Sequence, residues 1–229
     1  LSDAPTTKLR VAFISDLHAG GYKTSAFYVR VAKLIQEQKP DLLLLGGDYV
    51  YAGSAAVRDL HALSSIKCPK GKYFVLGNHD FDDDPHEIRQ ALHSFGFTDL
   101  TDQQVFLGKE GESCSLVGLD DAWFGSPRVE VIDRIPSPKI LLTHEPDVLF
   151  DLPEKAADLV LIGHTHGGQI RWPFFGPVSP LPQDAPQFLD QGRRMWRGMP
   201  ILISRGLGES GSRVRFFARP EILIVDASF

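Results

Sequence analysis

Apolar residues gather in short runs along this chain, and five runs stop at polar residues able to hold a metal. The run 11–15 leads into Asp16 and His18, 42–47 into Asp48, and 73–77 into Asn78 and His79. Further on, 140–143 leads into His144, and 159–163 into His164 and His166. Short continuous apolar runs bounded by turn residues read as buried strands. Between the first three runs the spacing turns helical. Thr24 or Ser25 caps a helix with Phe27, Val31, Leu34 and Ile35 on one face, and Pro40 ends it. Ser54 caps a second helix through Val57, Leu60 and Leu63. Asp84, Pro85 and Glu87 place a cap, a proline at the first helical position and an acid two residues later, ahead of Ile88, Leu92 and Phe95.

This β-α-β-α-β-α order predicts a sheet with helical cover. The second half predicts short strands at 115–119, 140–143, 159–162, 201–204, 214–218 and 222–225, with 146–152 as its best helix. Two packed sheets with helices outside accommodate both halves, and residues 1–229 read as one domain.

Ligands of open α/β sheets bind at the carboxyl ends of strands, which is where the polar residues fall. In D-x-H and H-x-H the two side chains point to one side if strand geometry continues. With His79 set aside, seven candidates remain: Asp16, His18, Asp48, Asn78, His144, His164 and His166. One six-coordinate ion cannot use them all, whereas two ions sharing a carboxylate can. Mixed N/O donors without thiolate favour Mn, Fe or Zn.

Composition narrows the setting. With 43% apolar and 23% charged residues, the chain reads as a globular protein. No apolar stretch approaches the ~20 residues of a transmembrane helix. The sequence starts at Leu1, which accommodates a signal peptide or anchor removed upstream. Cys68 and Cys114 read as reduced thiols. A net charge of −5 disfavours nucleic acid as a partner. Yet from Arg193 to Arg219 seven arginines (193, 194, 197, 205, 213, 215, 219) face the single acid Glu209, which points to an anionic partner.

The motifs Asp16-Leu17-His18, Gly47-Asp48, Gly77-Asn78-His79-Asp80, His144 and Gly163-His164-Thr165-His166 resemble the full signature of calcineurin-like metallophosphoesterases. The resemblance implies a four-layer α/β/β/α sandwich of two mixed sheets and a dinuclear centre, with manganese as the leading metal. Carried onto this sequence, Asp16, His18, Asp48 and His166 hold one ion, and Asp48, Asn78, His144 and His164 the other. His79, with Asp80 beside it, is similar to the family's catalytic histidine. The implied reaction is attack of a metal-bridging hydroxide on a phosphodiester or pyrophosphate, with positive charge left over to stabilise the transition state. A phosphomonoesterase or protein phosphatase on the same centre is the alternative within enzymes, and a non-catalytic metal scaffold the alternative outside them.

The second half is similar to one bacterial branch of the family. The motifs are Val117–Asp121 in order VGLDD, the residues after His166, Ser204-Arg205-Gly206-Leu207-Gly208, and the segment from Arg215 to Glu221. That branch is often membrane-anchored or exported, and some members resemble hydrolases of UDP-2,3-diacylglucosamine in lipid A synthesis. It implies a phosphorylated or lipid-linked substrate, peripheral contact with an anionic membrane and a membrane-associated or exported protein, with the cytoplasm as the alternative; a monomer is expected. Arg205 is the candidate for a second phosphate. Trp172 and Phe174, in the aromatic and proline-rich segment 172–188, are candidates for an apolar substrate wall. Arg213, Arg215 and Arg219 are expected to alternate along a strand and share a face.

Overall fold

The computed structural model describes residues 8–108, 114–179, 181 and 186–229. The first half contains β1 (Lys8–Ile14), α1 (Ser25–Glu37), β2 (Leu42–Gly46), a 3₁₀ helix (Ser54–Ser65), β3 (Lys72–Val75), the single turn α2 (Asn78–Phe81), α3 (Pro85–Ser94) and β4 (Thr98–Asp99). Then come β5 (Gln104–Leu107), β6 (Cys114–Gly118), β7 (Lys139–Thr143), β8 (Leu159–Ile162), β9 (Arg171–Trp172), β10 (Gly176–Pro177), β11 (Gly192–Trp196), β12 (Met199–Ile203) and β13 (Leu223–Ser228).

Two mixed sheets result. One has the order β13-β1-β2-β3-β4, parallel except for β13; the other is β11-β12-β8-β7-β6-β5, parallel except for its two edges. Parallel strands buried on both faces need continuous apolar runs. The sequence Leu42-Leu43-Leu44-Leu45 of β2, wholly buried, meets that need. Its residues divide between two cores. Leu43 and Leu45 pack toward Tyr28, Ile35, Leu60 and Ile88 of the outer helices. Leu42 and Leu44 join Val11, Phe13, Ile140, Leu142 and Leu161 in the seam between the sheets. A third cluster packs Val160, Ile162 and Ile201 against Ile132, Val148 and Leu149. The layers are therefore helix, sheet, sheet and a thin outer layer of short 3₁₀ turns. No helix among the described residues is long and apolar enough to cross a membrane.

The expected elements differ in instructive ways. The segment from Ser54 is 3₁₀ rather than α. Its buried residues Val57, Leu60 and Leu63 stand three apart, the 3₁₀ repeat. Residues 146–152 likewise form only a 3₁₀ turn, Pro146–Phe150. On α1, Tyr28 is buried while Leu34 is half exposed, so the inward stripe is Tyr28, Val31, Ala32 and Ile35. Asp84 caps α3 as expected, accepting from the backbone N–H of His86 (2.9 Å) and Glu87 (3.1 Å).

The expected strand at 214–218 is absent. That segment is a loop with one bridge, Phe216 to Ile170. Arg213, Arg215 and Arg219 consequently do not share a face: Arg215 turns inward, while Arg213 and Arg219 are exposed. Part of the 172–188 segment, at 180 and 182–185, lies outside the described residues.

Candidate metal centre

Each candidate ligand stands just past the end of a strand, in backbone that has left strand geometry. Asp16, His18, Asp48, His164 and His166 all have positive φ, between 48° and 65°. Left-handed backbone is uncommon for such residues and costs free energy that the surroundings must offset. The convergence of Asp16 with His18, and of His164 with His166, thus comes from left-handed turns and not from the period of a strand.

Cross-links between strand ends hold these turns. The Asp16 N–H donates to Gly47 O (2.9 Å), the His18 N–H to Asp48 O (3.1 Å), and the His164 N–H to Asp16 Oδ1 (2.9 Å). Two glycines make the close approach possible. A Cβ on Gly47, whose φ is +88°, would stand 2.5 Å from His144 Nδ1. One on Gly206, φ +68°, would stand 2.7 Å from the Cβ of Asp16.

The donor atoms fall into two overlapping sets, Asp16/His18/Asp48/His166 and Asp48/His144/His164, each within 4.8 Å of one another and all buried. His18 Nε2 lies 3.0 Å from His166 Nε2, and Asp16 Oδ1 lies 3.5 Å from the latter. Asp48 Oδ2 is 3.5 Å from His18 Nε2 and 3.4 Å from His144 Nε2, placing one carboxylate oxygen between the sets. Asn78 Oδ1 joins the second set, 3.0 Å from His164 Nδ1.

This donor set fits divalent cations. Burial lowers the His18 imidazole to about 4 and the His164 imidazole to about 3, so both are neutral and have lone pairs to offer at neutral pH. Burial opposes charge on Asp48 as well, but His144 and His18 hold its carboxyl well below the usual range. His144 Nδ1 lies 2.5 Å from Gly46 O, an acceptor that fixes one ring proton there, so that Nε2 is the nitrogen that ligates once the ring is neutral.

His79 stands apart from the sets. Its ring, partly exposed, packs edge-on to His18 with centroids 5.1 Å apart, and its Nδ1 is 3.5 Å from Asp82. Asp80 does not serve that ring. Its carboxylate accepts from the backbone N–H of Asp48 (2.9 Å), Tyr49 (2.8 Å) and Gly77 (2.9 Å), pinning two strand-end loops together. The acid beside the His79 ring is Asp82.

The expected substrate residues lie elsewhere. A cleft of about 330 Å³ beside the two sets is lined by His79, Trp123, Gln169, Ile170, Ser210 and Ser212 among others, but not by Trp172, Phe174 or Arg205. Arg205 is ion-paired to Glu221, whose other oxygen accepts the Arg205 backbone N–H (2.9 Å). Trp123 covers His164 edge-on, ring centroids 4.4 Å apart, and Asp121 Oδ1 holds its loop through the N–H groups of Trp123 and Phe124.

One site residue was not expected. Arg215 donates from Nη2 to His166 Nδ1 (2.9 Å) and from Nη1 to Arg205 O and Ala218 O. Its sequence signals were a place in an arginine-rich segment and at the head of the Arg215–Glu221 motif, and neither distinguishes an inward side chain from a surface charge.

Two overlapping ligand sets on facing sheets belong to the chemistry of metal-dependent hydrolases. Residues 9–168 match the calcineurin-like phosphoesterase family, and the chain belongs to it as a metallophosphoesterase. It is similar over 94% of its length to the uncharacterized metallophosphoesterase YkuE of Bacillus subtilis (33% identity, 77% of that protein). It also resembles the phosphodiesterase YaeI of Escherichia coli (31%; 95% of this chain, 81% of that one). The UDP-2,3-diacylglucosamine pyrophosphatase LpxG of Chlamydia muridarum is 26% identical, with 95% of this chain and 83% of LpxG covered. Among solved structures, the NAD nucleotidase NadN of Haemophilus influenzae shares the fold at a TM-score of 0.56 and 16% identity. That match covers 88% of this chain, which spans about half of NadN (51%).

Proposed function

We propose that this protein hydrolyses a phosphodiester or pyrophosphate bond at a two-metal centre, on a lipid-linked nucleotide of the UDP-2,3-diacylglucosamine kind. The observation that carries the reading is Asp48, whose Oδ2 lies within 3.5 Å of a histidine nitrogen from each set. Asp16, His18, Asp48 and His166 would hold one ion, and Asp48, Asn78, His144 and His164 the other. Manganese is the leading metal, with iron or zinc as the alternatives for these donors. Two divalent ions bound there supply Lewis acidity at the phosphoryl group and lower the pKa of a bound water.

The chain's own residues do the rest. His79 faces the cleft without belonging to either set, and would protonate the leaving oxygen. Asp48 Oδ1 accepts the His79 backbone N–H (3.0 Å), which ties the acid to the shared carboxylate. Trp123 excludes water from one side of His164. Ser179, Ser210 and Ser212 give the cleft hydroxyl donors suited to a sugar or phosphate. The names of LpxG and YaeI favour a lipid-linked pyrophosphate and a diester respectively, and a lipid-linked substrate places the protein at a membrane, anchored or exported.

The test is turnover by the Mn²⁺-reconstituted protein. Bis-p-nitrophenyl phosphate should be cleaved faster than the monoester, and UDP-diacylglucosamine faster than UDP-sugars, cyclic nucleotides or phosphoproteins. Preference for the monoester would replace the reading with a phosphomonoesterase. Equal cleavage of UDP-sugar without acyl chains would remove the lipid from it.

A further inference from the structure

Beside the cleft the protein presents large apolar side chains to solvent. Phe174 and Phe175, in the turn joining β9 to β10, are 104% and 88% exposed, so their rings project from the surface. Trp172 at the base of the turn contacts Phe216 (centroids 6.3 Å), and Phe216 contacts Phe217 (4.7 Å). Val178 and Val214 widen the patch, both about half exposed. Scattered exposed apolar residues need no explanation, but a contiguous patch of this kind marks an interaction surface.

We propose that this face docks on an anionic lipid bilayer, with the aromatic turn inserted among the headgroups. The idea rests on the lipid-linked substrate proposed above and adds the surface that brings the site to it. Three observations choose a bilayer over a protein partner. The rings of Phe174 and Phe175 are almost wholly exposed, and a medium that surrounds them buries more of their surface than a flat interface does. Its composition suits the membrane boundary, where Trp and other amphipathic aromatics collect.

Its charge matches anionic lipid. Arg213 and Arg219 flank Phe216 and Phe217, are exposed, and have no ion-pair partner among the described residues. Three described acids of these segments are already engaged: Glu209 by Lys23 (2.6 Å), Asp190 by Arg171 (2.6 Å) and Arg194, and Glu221 by Arg205. Unpaired arginines at such a surface attract anionic headgroups.

The patch is also fastened to the metal centre. The Arg171 N–H donates to Phe216 O and the Phe216 N–H to Gln169 O, both 2.9 Å, three residues past His166. Arg215, next to Phe216, donates to His166 itself. A bilayer under Phe174 and Phe216 would thus set the orientation of the cleft as well as its distance.

Vesicle co-sedimentation tests this, using phosphatidylcholine with and without phosphatidylglycerol. The full chain should sediment with the anionic vesicles and less with neutral ones, and added salt should weaken the binding. Phe175→Ser combined with Phe217→Ser should lower partitioning by on the order of tenfold. Arg213→Glu with Arg219→Glu should abolish the preference for phosphatidylglycerol. Both double variants should keep wild-type turnover of bis-p-nitrophenyl phosphate, which shows that they fold. Asp48→Asn should bind vesicles like the wild type, so a failed hydrolase reading leaves the docking result standing. Wild-type protein that stays in the supernatant, or variants that sediment unchanged, would overturn the docking. So would light scattering that finds a dimer which the phenylalanine variant converts to monomer, because the patch would then belong to a second copy.

Discussion

His79 and Asp48 touch the same site through different chemistry, and substitution separates them. His79→Ala leaves every donor of both sets in place. It should keep metal, measured by elemental analysis, and lose turnover by about 10²–10⁴-fold, the usual contribution of a general acid. Asp48→Asn removes the carboxylate shared between sets, so it should lose metal first and activity as a consequence. If His79→Ala lost metal as readily, the division between ligand and acid would collapse. The clustering of the candidate ligands was legible in the sequence because residue type and position agreed: His, Asp and Asn recurring at the ends of apolar runs. The backbone that aims them was not. Two residues of spacing read as strand periodicity, whereas Asp16 and His18 converge through left-handed turns. Arg215 was hidden for another reason. It reaches His166 across 49 residues of sequence, and nothing local distinguishes an inward arginine from a solvated one.

At the level of elements, legibility followed burial. Strands lodged between two layers are continuous apolar runs, and β1, β2, β3, β7 and β8 were all visible to within a few residues. Edge strands are only half covered and carry weaker patterns. In β11, a sequence of Gly-Arg-Arg-Met-Trp with alternating exposure, the arginines concealed the strand. The loop at 214–218 failed in the opposite sense: its alternation of arginine and apolar residues imitates a strand, but its inward arginine serves the metal site. Of the three expected caps only Asp84 is made: Thr24 offers α1 no side-chain acceptor, and the 3₁₀ helix from Ser54 is preceded by Gly53. Asp84→Ala should cost about 1 kcal/mol of stability in denaturant titration, because two N–H groups of α3 lose their acceptor. The cap is remote from the ligands, so metal-loaded activity should not change. An Asp84→Ala protein that lost metal would mean that α3 positions Asn78 more directly than its contacts indicate.

For the whole molecule, two of the candidate ligands, Asp16 and His144, bind protons more tightly than their free side chains do. Burial raises Asp16 to about 6. Burial opposes charge on His144, yet Asp48 and Glu145 beside it keep its imidazolium well above the ordinary range. A bound cation needs both groups deprotonated, so loading must release protons. The sign is fixed by these directions: near pH 7 His144 gives up its proton, and below about 6 Asp16 adds a second. Affinity should therefore fall as pH drops, more steeply below pH 6. Calorimetry of Mn²⁺ binding in two buffers of different ionisation enthalpy measures the release, and heats independent of buffer would contradict it. Both ligand sets draw on both layers, with Asp16, His18, Asp48 and Asn78 following strands of one sheet and His144, His164 and His166 following strands of the other. In mechanical terms each ion bound there would be a removable rivet through a laminate, driven at one rim of the apolar seam. A chelator would free that rim for the layers to splay, while the backbone bonds inside each layer stay whole.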